Sequence, residues 1–332
     1  MATTNLHHAD QIIAALPYLI GFAPADCLVA LTIRDTTEIG PLVRVDLPSP
    51  ENQQAMADHL ADILVGHNLA AAVLVVVGGG EPLGHRFFVD TVTDALVGVG
   101  ISVEHTLWTA TVAVGEPWRS YTDPEQAGTV ADPTTSALAA QFTVQGVVPY
   151  SSREAMAASL GSDPPEDLAR RGELIRARAA VEEAGVPEKV ARVLAVVDRF
   201  AGEQADPELT EDDVVGLAVA LVDPAVREAC LEIPLTARDR GAARLWTRLA
   251  RVLPGPWRAE PAFHVAMSAY LQGDGVFARV ALGVALEAEP EHRLAALLDS
   301  AAHHGVPPGE VRVIIDEVRG KGTPVEGGIW SG

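Results

Sequence analysis

Residues 70–80 read AAAVLVVVGGG. An uninterrupted apolar run of this length is typical of a strand that is buried on both faces of an α/β sheet. The glycines at 78–80 end the strand, and residues 82–97 then follow the spacing of an amphipathic helix. This strand–turn–helix unit predicts an α/β sheet around residues 70–80.

The flanking segments extend the same domain. Residues 27–34 and 41–47 are rich in β-branched side chains and are separated by a turn-prone stretch, which predicts a hairpin. A further strand and a helix near residues 135–143 follow along the chain. We therefore predict an α/β N-terminal domain over residues 1–150, with a mixed sheet and covering helices.

The N-terminal segment is apolar but lacks the features of a secretory leader. Pro17 predicts that a helix starting at Asp10 ends near Leu16, because proline interrupts a helix interior. No lysine or arginine precedes Arg34, so the positively charged region of a leader is missing. We expect a cytoplasmic protein.

From residue 151 onward, strand patterns nearly vanish and helix starts are well marked. Residues 210–213 resemble a capping box, and Asp223-Pro224 is a cap followed by a first-turn proline. These signals predict an all-α helical-hairpin domain over residues 151–320. Residues 321–332 are predicted to form a loose C-terminal tail.

One segment of the helical half matches a tetratricopeptide unit that begins near Ala259. Ala266, Ala278 and Ala285 then fall on its small positions, and Gly273-Asp274 falls on the turn between its helices. The flanking units carry arginines at the small positions. We therefore predict a single tetratricopeptide-like helix pair rather than an array.

Composition excludes several classes of function. The chain carries 24 basic and 45 acidic residues, a net charge of −21, so it lacks the basic face that binds nucleic acid or an anionic membrane surface. No stretch of 18 consecutive apolar residues predicts a membrane span. Two cysteines, Cys27 and Cys230, indicate neither a disulfide framework nor a zinc site.

The segment Pro17–Val29, PYLIGFAPADCLV, resembles the opening motif of an actinobacterial family, domain-of-unknown-function family 4192. Arg44–Pro48, Trp118–Tyr121 and Ser151–Glu154 are similar to further segments of that family. The resemblance covers most of the chain and implies the family's fold. It implies no activity, because the family has none established.

The Gly78-Gly79-Gly80 turn is the first candidate ligand site. Backbone N–H groups at a strand-to-helix turn can hold an anion, although the spacing matches no known phosphate loop and no lysine is near. A plain tight turn is the favoured alternative. Asp26, in the loop before Cys27, is the best single polar candidate beside it.

The segment Trp118-Arg119-Ser120-Tyr121 is the second candidate. Arg119 can act as a fork for an anion and Trp118 as a stacking platform, with Tyr121 beside them. The alternative is that the two aromatic residues close the end of the sheet.

No catalytic constellation is evident. The chain has no nucleophile-elbow motif, and its ten histidines form no close pair of metal ligands on one helix face. We therefore predict no catalytic residue, metal or cofactor. The favoured function is a non-catalytic scaffold or adaptor that binds a protein partner through its helical half, and homo-oligomerisation is compatible with it. The alternative is an enzyme or small-molecule sensor with a pocket in the α/β half.

Overall fold

The computed structural model contains two compact units, Met1–Ser159 and Leu160–Gly332. It describes residues 8–34, 39–133, 149–202 and 207–321. The first unit is an α/β unit and the second is helical, which confirms the predicted fold class. The helix predicted at residues 135–143 and almost all of the predicted tail lie outside the described residues.

The described residues of the first unit form a six-stranded mixed sheet with the order β2-β1-β3-β4-β5-β6. The strands are β1 (Cys27–Ile33), β2 (Ile39–Asp46), β3 (Ala71–Val77), β4 (Ser102–Thr109), β5 (Pro117–Ser120) and β6 (Ala127–Thr129). The helices are α1 (Ala9–Ile20), α2 (Gln53–Leu64), α3 (Arg86–Gly98) and α4 (Arg153–Ala158).

The pairing of the central strands brings the start of β1 and the ends of β3 and β4 together at one side of the sheet. β1 is antiparallel to β2 and β3, whereas β3 and β4 are parallel and α3 connects them. Val77 at the end of β3 pairs with Cys27 at the start of β1 and with Thr109 at the end of β4. We call this the carboxyl edge. In open α/β sheets, ligands bind beyond the carboxyl ends of parallel strands.

Alternate side chains of the sheet pack under α2 and α3. Leu28, Leu74, Val76 and Trp108 belong to one buried cluster with the inner faces of these helices. Every residue of β3 is buried, as the apolar run predicts.

The first helix is longer than its proline predicts. The expected end at Leu16 is wrong, because α1 continues through Pro17 to Ile20. Pro17 costs the helix about 3 kcal/mol by removing one backbone hydrogen bond and crowding the preceding turn. Leu16 and Ile20 are 0% and 1% exposed, and burying each side chain contributes roughly 1.5–3 kcal/mol, which offsets that cost.

All regular secondary structure among the described residues of the second unit is helical. Its α-helices are α5 (Pro165–Ala179), α6 (Val186–Phe200), α7 (Glu211–Leu221), α8 (Pro224–Cys230), α9 (Asp239–Val252), α10 (Ala259–Leu271), α11 (Gly275–Ala288), α12 (Arg293–His303) and α13 (Pro308–Lys321). No described helix of the chain has the length and apolar character that crossing a membrane requires.

Helix α10 lies at the centre of this unit. All 13 of its residues are buried, and it contacts α9, α11, α12 and α13. Helices α10 and α11 cover the segment of the predicted pair, and the alanines at 266, 278 and 285 are each 0% exposed. In a tetratricopeptide array the first helix of each pair lines an open groove, whereas here that helix is enclosed by its neighbours.

Candidate functional site

The Gly78–Gly80 turn lies at the carboxyl edge and is held by specific hydrogen bonds. The Gly78 N–H donates to the carbonyl of Thr109 at 2.9 Å, and Trp108 Nε1 donates to the Gly78 carbonyl at 3.0 Å. All three glycines have positive φ, between 77° and 83°, a conformation that side chains other than glycine rarely adopt. The turn is therefore a rigid exit from β3.

The Asp26 side chain accepts a hydrogen bond from a backbone amide of this turn. Its Oδ1 accepts the Gly79 N–H at 2.9 Å, and a Cβ on Gly78 would lie only 2.6 Å from the same oxygen. The chain thus supplies its own carboxylate to the Gly79 amide. This arrangement accounts for Asp26, Gly78 and Gly79 as a tight turn, whereas Gly80 is exposed with open space around it.

His85 completes the turn and precedes α3. Its Nε2 lies 3.0 Å from the Gly79 carbonyl, and since a carbonyl only accepts, Nε2 carries a proton and donates it there. The side chain therefore caps none of the α3 backbone amides, although His85 is the N-cap residue. The first turn of α3 also contains no acidic residue. The positive end of this helix is left without a side-chain partner of its own.

The second candidate segment is divided between the two faces of the sheet. Arg119 pairs with Trp108 across β4 and β5, and Tyr121 shares the buried cluster of Trp108. Trp118 lies on the opposite face, because successive side chains of a strand alternate. Its indole lies about 3 Å from where a Cβ of Gly128 would stand. Trp118 therefore cannot serve as a stacking platform for an anion held by Arg119.

Tyr121 is buried beside the start of α3. The side chain is 2% exposed, and its hydroxyl has no hydrogen-bond partner among the described residues. The Arg86 guanidinium lies 5.7 Å from the centre of its ring. Burial raises the pKa of the phenol, while the backbone of His85 and the charge of Arg86 act in the opposite direction.

Cys27 begins β1 at the same edge but on a different face from Trp108. Burial raises the pKa of its thiol to about 11, although the Arg44 guanidinium acts to lower it. Arg44 lies on the neighbouring strand and forms a 2.7 Å salt bridge with Asp46. A cationic neighbour is thus present that no local pattern revealed, yet desolvation keeps the thiol protonated and unreactive.

The helical unit contains a buried carboxylate that sequence analysis missed. Glu260 on α10 is 3% exposed, and its Oε2 accepts a hydrogen bond from His292 Nε2 at 2.9 Å. Its Oε1 lies 3.3 Å from His264 Nε2, and Arg227 Nε lies 3.4 Å from Oε2. Burial raises the pKa of this carboxyl, but His264, His292 and Arg227 together lower it to about 2. Glu260 is therefore ionised inside the core.

The proton positions in this cluster argue against a metal centre. His292 Nδ1 accepts the Ala295 N–H at 3.1 Å, so the neutral ring carries its proton on Nε2, the atom that faces Glu260. A histidine that binds metal through Nε2 needs a proton on Nδ1, where the Ala295 donor already points. Within the described ranges, no group of three or more histidine, cysteine or acidic residues is arranged to hold a metal ion.

A small cavity adjoins the Glu260 carboxylate. It has a volume of about 10 Å³, near the smallest that holds one water molecule, and Arg227, Trp257 and Glu289 contribute to its lining. His264 is 0% exposed and its ring stacks on Trp246 at 4.9 Å. The cluster is therefore a closed polar core rather than a substrate site.

Comparison with known proteins places the chain in a family. The profile of the family described as "Domain of unknown function (DUF4192)" matches residues 10–309. The chain belongs to this family. The match spans both units and confirms the family that the Pro17–Val29 motif resembles. Searches of curated proteins and of solved structures found no significant match.

Proposed function

We propose that this DUF4192 member is a non-catalytic scaffold or adaptor that binds another protein through its helical unit. The observation that carries the proposal is the outer face of α12. Leu294 and Leu297 are 39% and 63% exposed on adjacent turns of this helix. Exposed leucines three positions apart form a continuous apolar strip, the usual anchor of a protein interface.

The charges around this strip favour a basic partner. Four nearby carboxylates form no salt bridge with any described residue, namely Glu287, Glu289, Glu291 and Asp299. By contrast, Asp198 of α6, the three acidic residues that begin α7 and Asp223 before α8 are paired with arginine or lysine, as in Asp213–Arg199 and Asp223–Lys189. Within α12 Arg293 and Asp299 offset each other in charge, so the excess of carboxylates comes from the three glutamates that precede the helix. Such a surface complements an amphipathic segment rich in lysine and arginine.

The tetratricopeptide-like character of the α10–α11 pair belongs to this proposal. Small residues at 266, 278 and 285 support it, because they let paired helices approach closely. The binding surface is nevertheless assigned to α12, since α10 is enclosed and has no open groove face. An actinobacterial source and a cytoplasmic location stay predictions of the sequence.

The test compares two variants that each add exposed lysines to the helical unit. Leu294→Lys combined with Leu297→Lys removes the apolar strip, whereas Val181→Lys alters a residue that is 71% exposed elsewhere. Each protein is immobilised, and partners from the host are quantified by mass spectrometry at low and high salt. We expect a basic partner that the double variant retains roughly tenfold less and the control retains fully.

Two results would contradict the proposal. One is a partner profile that the double variant leaves unchanged. The other is capture of further copies of the chain alone, which would make α12 part of a homo-oligomer. Salt dependence adds a separate check, because charge complementarity predicts weaker retention at high ionic strength.

A small-molecule sensor in the α/β unit is the second candidate function. What supports it is that Asp26 and Gly79 lie at the carboxyl edge, where such sheets bind ligands, and that Arg119 and Tyr121 lie on the face of the sheet that carries Trp108. Native mass spectrometry of the protein from its own host tests it. A bound small molecule supports the sensor, and a bare α/β unit argues against it.

A further inference from the structure

Two of the few cations of the acidic α/β unit are Arg86 at the start of α3 and Arg119 on β5. Residues 1–159 contain 17 aspartates and glutamates but only five arginines and no lysine. Arg86 is the first residue of α3, and Arg119 lies on β5, on the face that carries Tyr121. Both arginines are exposed, and neither forms a salt bridge with a described residue.

Unpaired arginines are unusual in such a unit, because carboxylates outnumber them more than three to one. Arg119 and Tyr121 are two positions apart along the chain, so their side chains start about 6–7 Å apart on one face. Arg86 reaches the ring of Tyr121 from α3. Arg86 therefore contacts the phenol from α3, and Arg119 starts on the same face of the sheet two positions away from Tyr121.

The Tyr121 hydroxyl lacks a hydrogen-bond acceptor among the described residues. It is fully buried yet has no hydrogen-bond partner among the described residues, and leaving such a group unpaired costs about 1–3 kcal/mol. The backbone amide of His85, the N-cap of α3, faces its oxygen without reaching hydrogen-bond geometry. The phenolic proton is thus available to an acceptor at the start of α3.

The cation closest in effect to the phenol is Arg86. The charge of Arg86 acts more strongly on the phenol than that of Asp90, one turn further along the helix. Glu81 is exposed in the preceding loop. The amides of the first helical turn add partial positive charge, because no side chain of the described residues caps them.

We propose that the N-terminus of α3, Arg86, Arg119 and the Tyr121 hydroxyl together bind a phosphate group. A helix end supplies N–H donors, two guanidinium forks neutralise a dianion, and the phenol donates one further hydrogen bond. The site differs from the Gly78–Gly80 turn, whose Gly79 amide is taken by Asp26. A phosphate site here would give the small-molecule function a ligand class, and it does not involve the residues of α12.

Inorganic phosphate is the first probe, with phenyl phosphate as the second. Binding is measured by titration calorimetry and by the thermal midpoint of the full chain, with chloride matched for ionic strength. We expect both probes to bind at millimolar concentration or below. Tighter binding of phenyl phosphate would identify a phosphate monoester as the ligand, with exposed Phe87 beside the helix end, and tighter binding of inorganic phosphate would identify the free ion.

Three variants and one control make the test specific. Tyr121→Phe removes only an unpaired hydroxyl, so it leaves the unliganded thermal midpoint unchanged or higher and weakens phosphate binding about tenfold. Arg86→Gln and Arg119→Gln each weaken it at least as much. Arg153→Gln removes an exposed arginine elsewhere in the same unit and leaves binding unchanged.

Two outcomes would overturn the proposal. The first is the absence of any phosphate response in the native chain. The second is a response that Tyr121→Phe and both arginine variants leave intact, because that phosphate would lie elsewhere. Neither outcome affects the protein-binding proposal, whose test measures a macromolecular partner of α12.

Discussion

Replacing Glu260 by glutamine tests the buried cluster of the helical unit. The carboxyl has a pKa of about 2 in the folded chain against a usual value of 4.5. A difference of this size corresponds to about 3 kcal/mol of folding free energy at neutral pH. Glutamine keeps the shape but cannot ionise, so Glu260→Gln should lower the free energy of unfolding by about this amount.

The stabilisation that Glu260 contributes should depend on pH in one direction. Because the folded pKa is depressed, the stabilisation is complete above pH 4.5, the usual value of the carboxyl, and is lost as the pH falls toward about 2. The groups that face this carboxylate are His264, His292, Arg227 and Cys230. The difference between native chain and variant should therefore be constant from pH 5 to 7 and shrink below pH 4.5.

Urea unfolding followed by helical circular dichroism measures this difference at each pH. Glu289→Gln is the matched control, because Glu289 lines the same cavity without a salt bridge among the described residues. The control should change the free energy of unfolding by less than about 0.5 kcal/mol. A loss below about 1 kcal/mol for Glu260→Gln, or a loss that does not vary with pH, would refute the ionised-core interpretation.

Three further predictions concern stability and reactivity. Gly79→Ala should destabilise the α/β unit by about 1–3 kcal/mol, because φ is +77° and the new Cβ would lie 2.5 Å from the His85 ring. Gly80→Ala, with positive φ but open space, should cost less, and equal thermal midpoints for the two variants would contradict this account. Burial raises the thiol pKa values of Cys27 and Cys230 to about 11 and 12, so the native chain should resist alkylation at neutral pH until it is unfolded, as intact-mass measurement would show. Trp246→Ala should cost about 3–5 kcal/mol in urea unfolding, because this fully buried ring packs on His264, and a loss under 1 kcal/mol would contradict it.

A strand of the sheet could be predicted where the residues of one segment are enough to identify it. β3 is buried on both faces, so every residue of it is apolar and the pattern needs no partner to be recognised. Helix α1 shows the limit of such local rules. Pro17 predicts a stop, but burial of Leu16 and Ile20, which depends on tertiary packing, carries the helix onward.

The candidate sites depended on contacts between distant segments. Asp26 and Gly79 were both candidates, but the hydrogen bond that joins them spans 53 positions and follows from the antiparallel pairing of β1 with β3. The division of Trp118 and Arg119 follows from strand alternation once β5 is assigned.

The buried cluster of the helical unit had only one local signal. Glu260 and His264 are four positions apart, a spacing that places both on one helix face. His292 lies 32 positions from Glu260, and nothing in the sequence joins them. Long-range polar pairs of this kind come from the packing of α10 against the start of α12.

Native mass spectrometry of the untagged chain purified from its own host tests most directly whether α12 carries a protein-binding surface. We expect a complex with a second, basic polypeptide, and we expect the Leu294→Lys and Leu297→Lys double variant to be recovered without that polypeptide. A chain recovered alone, or a complex that survives the double substitution, would contradict it.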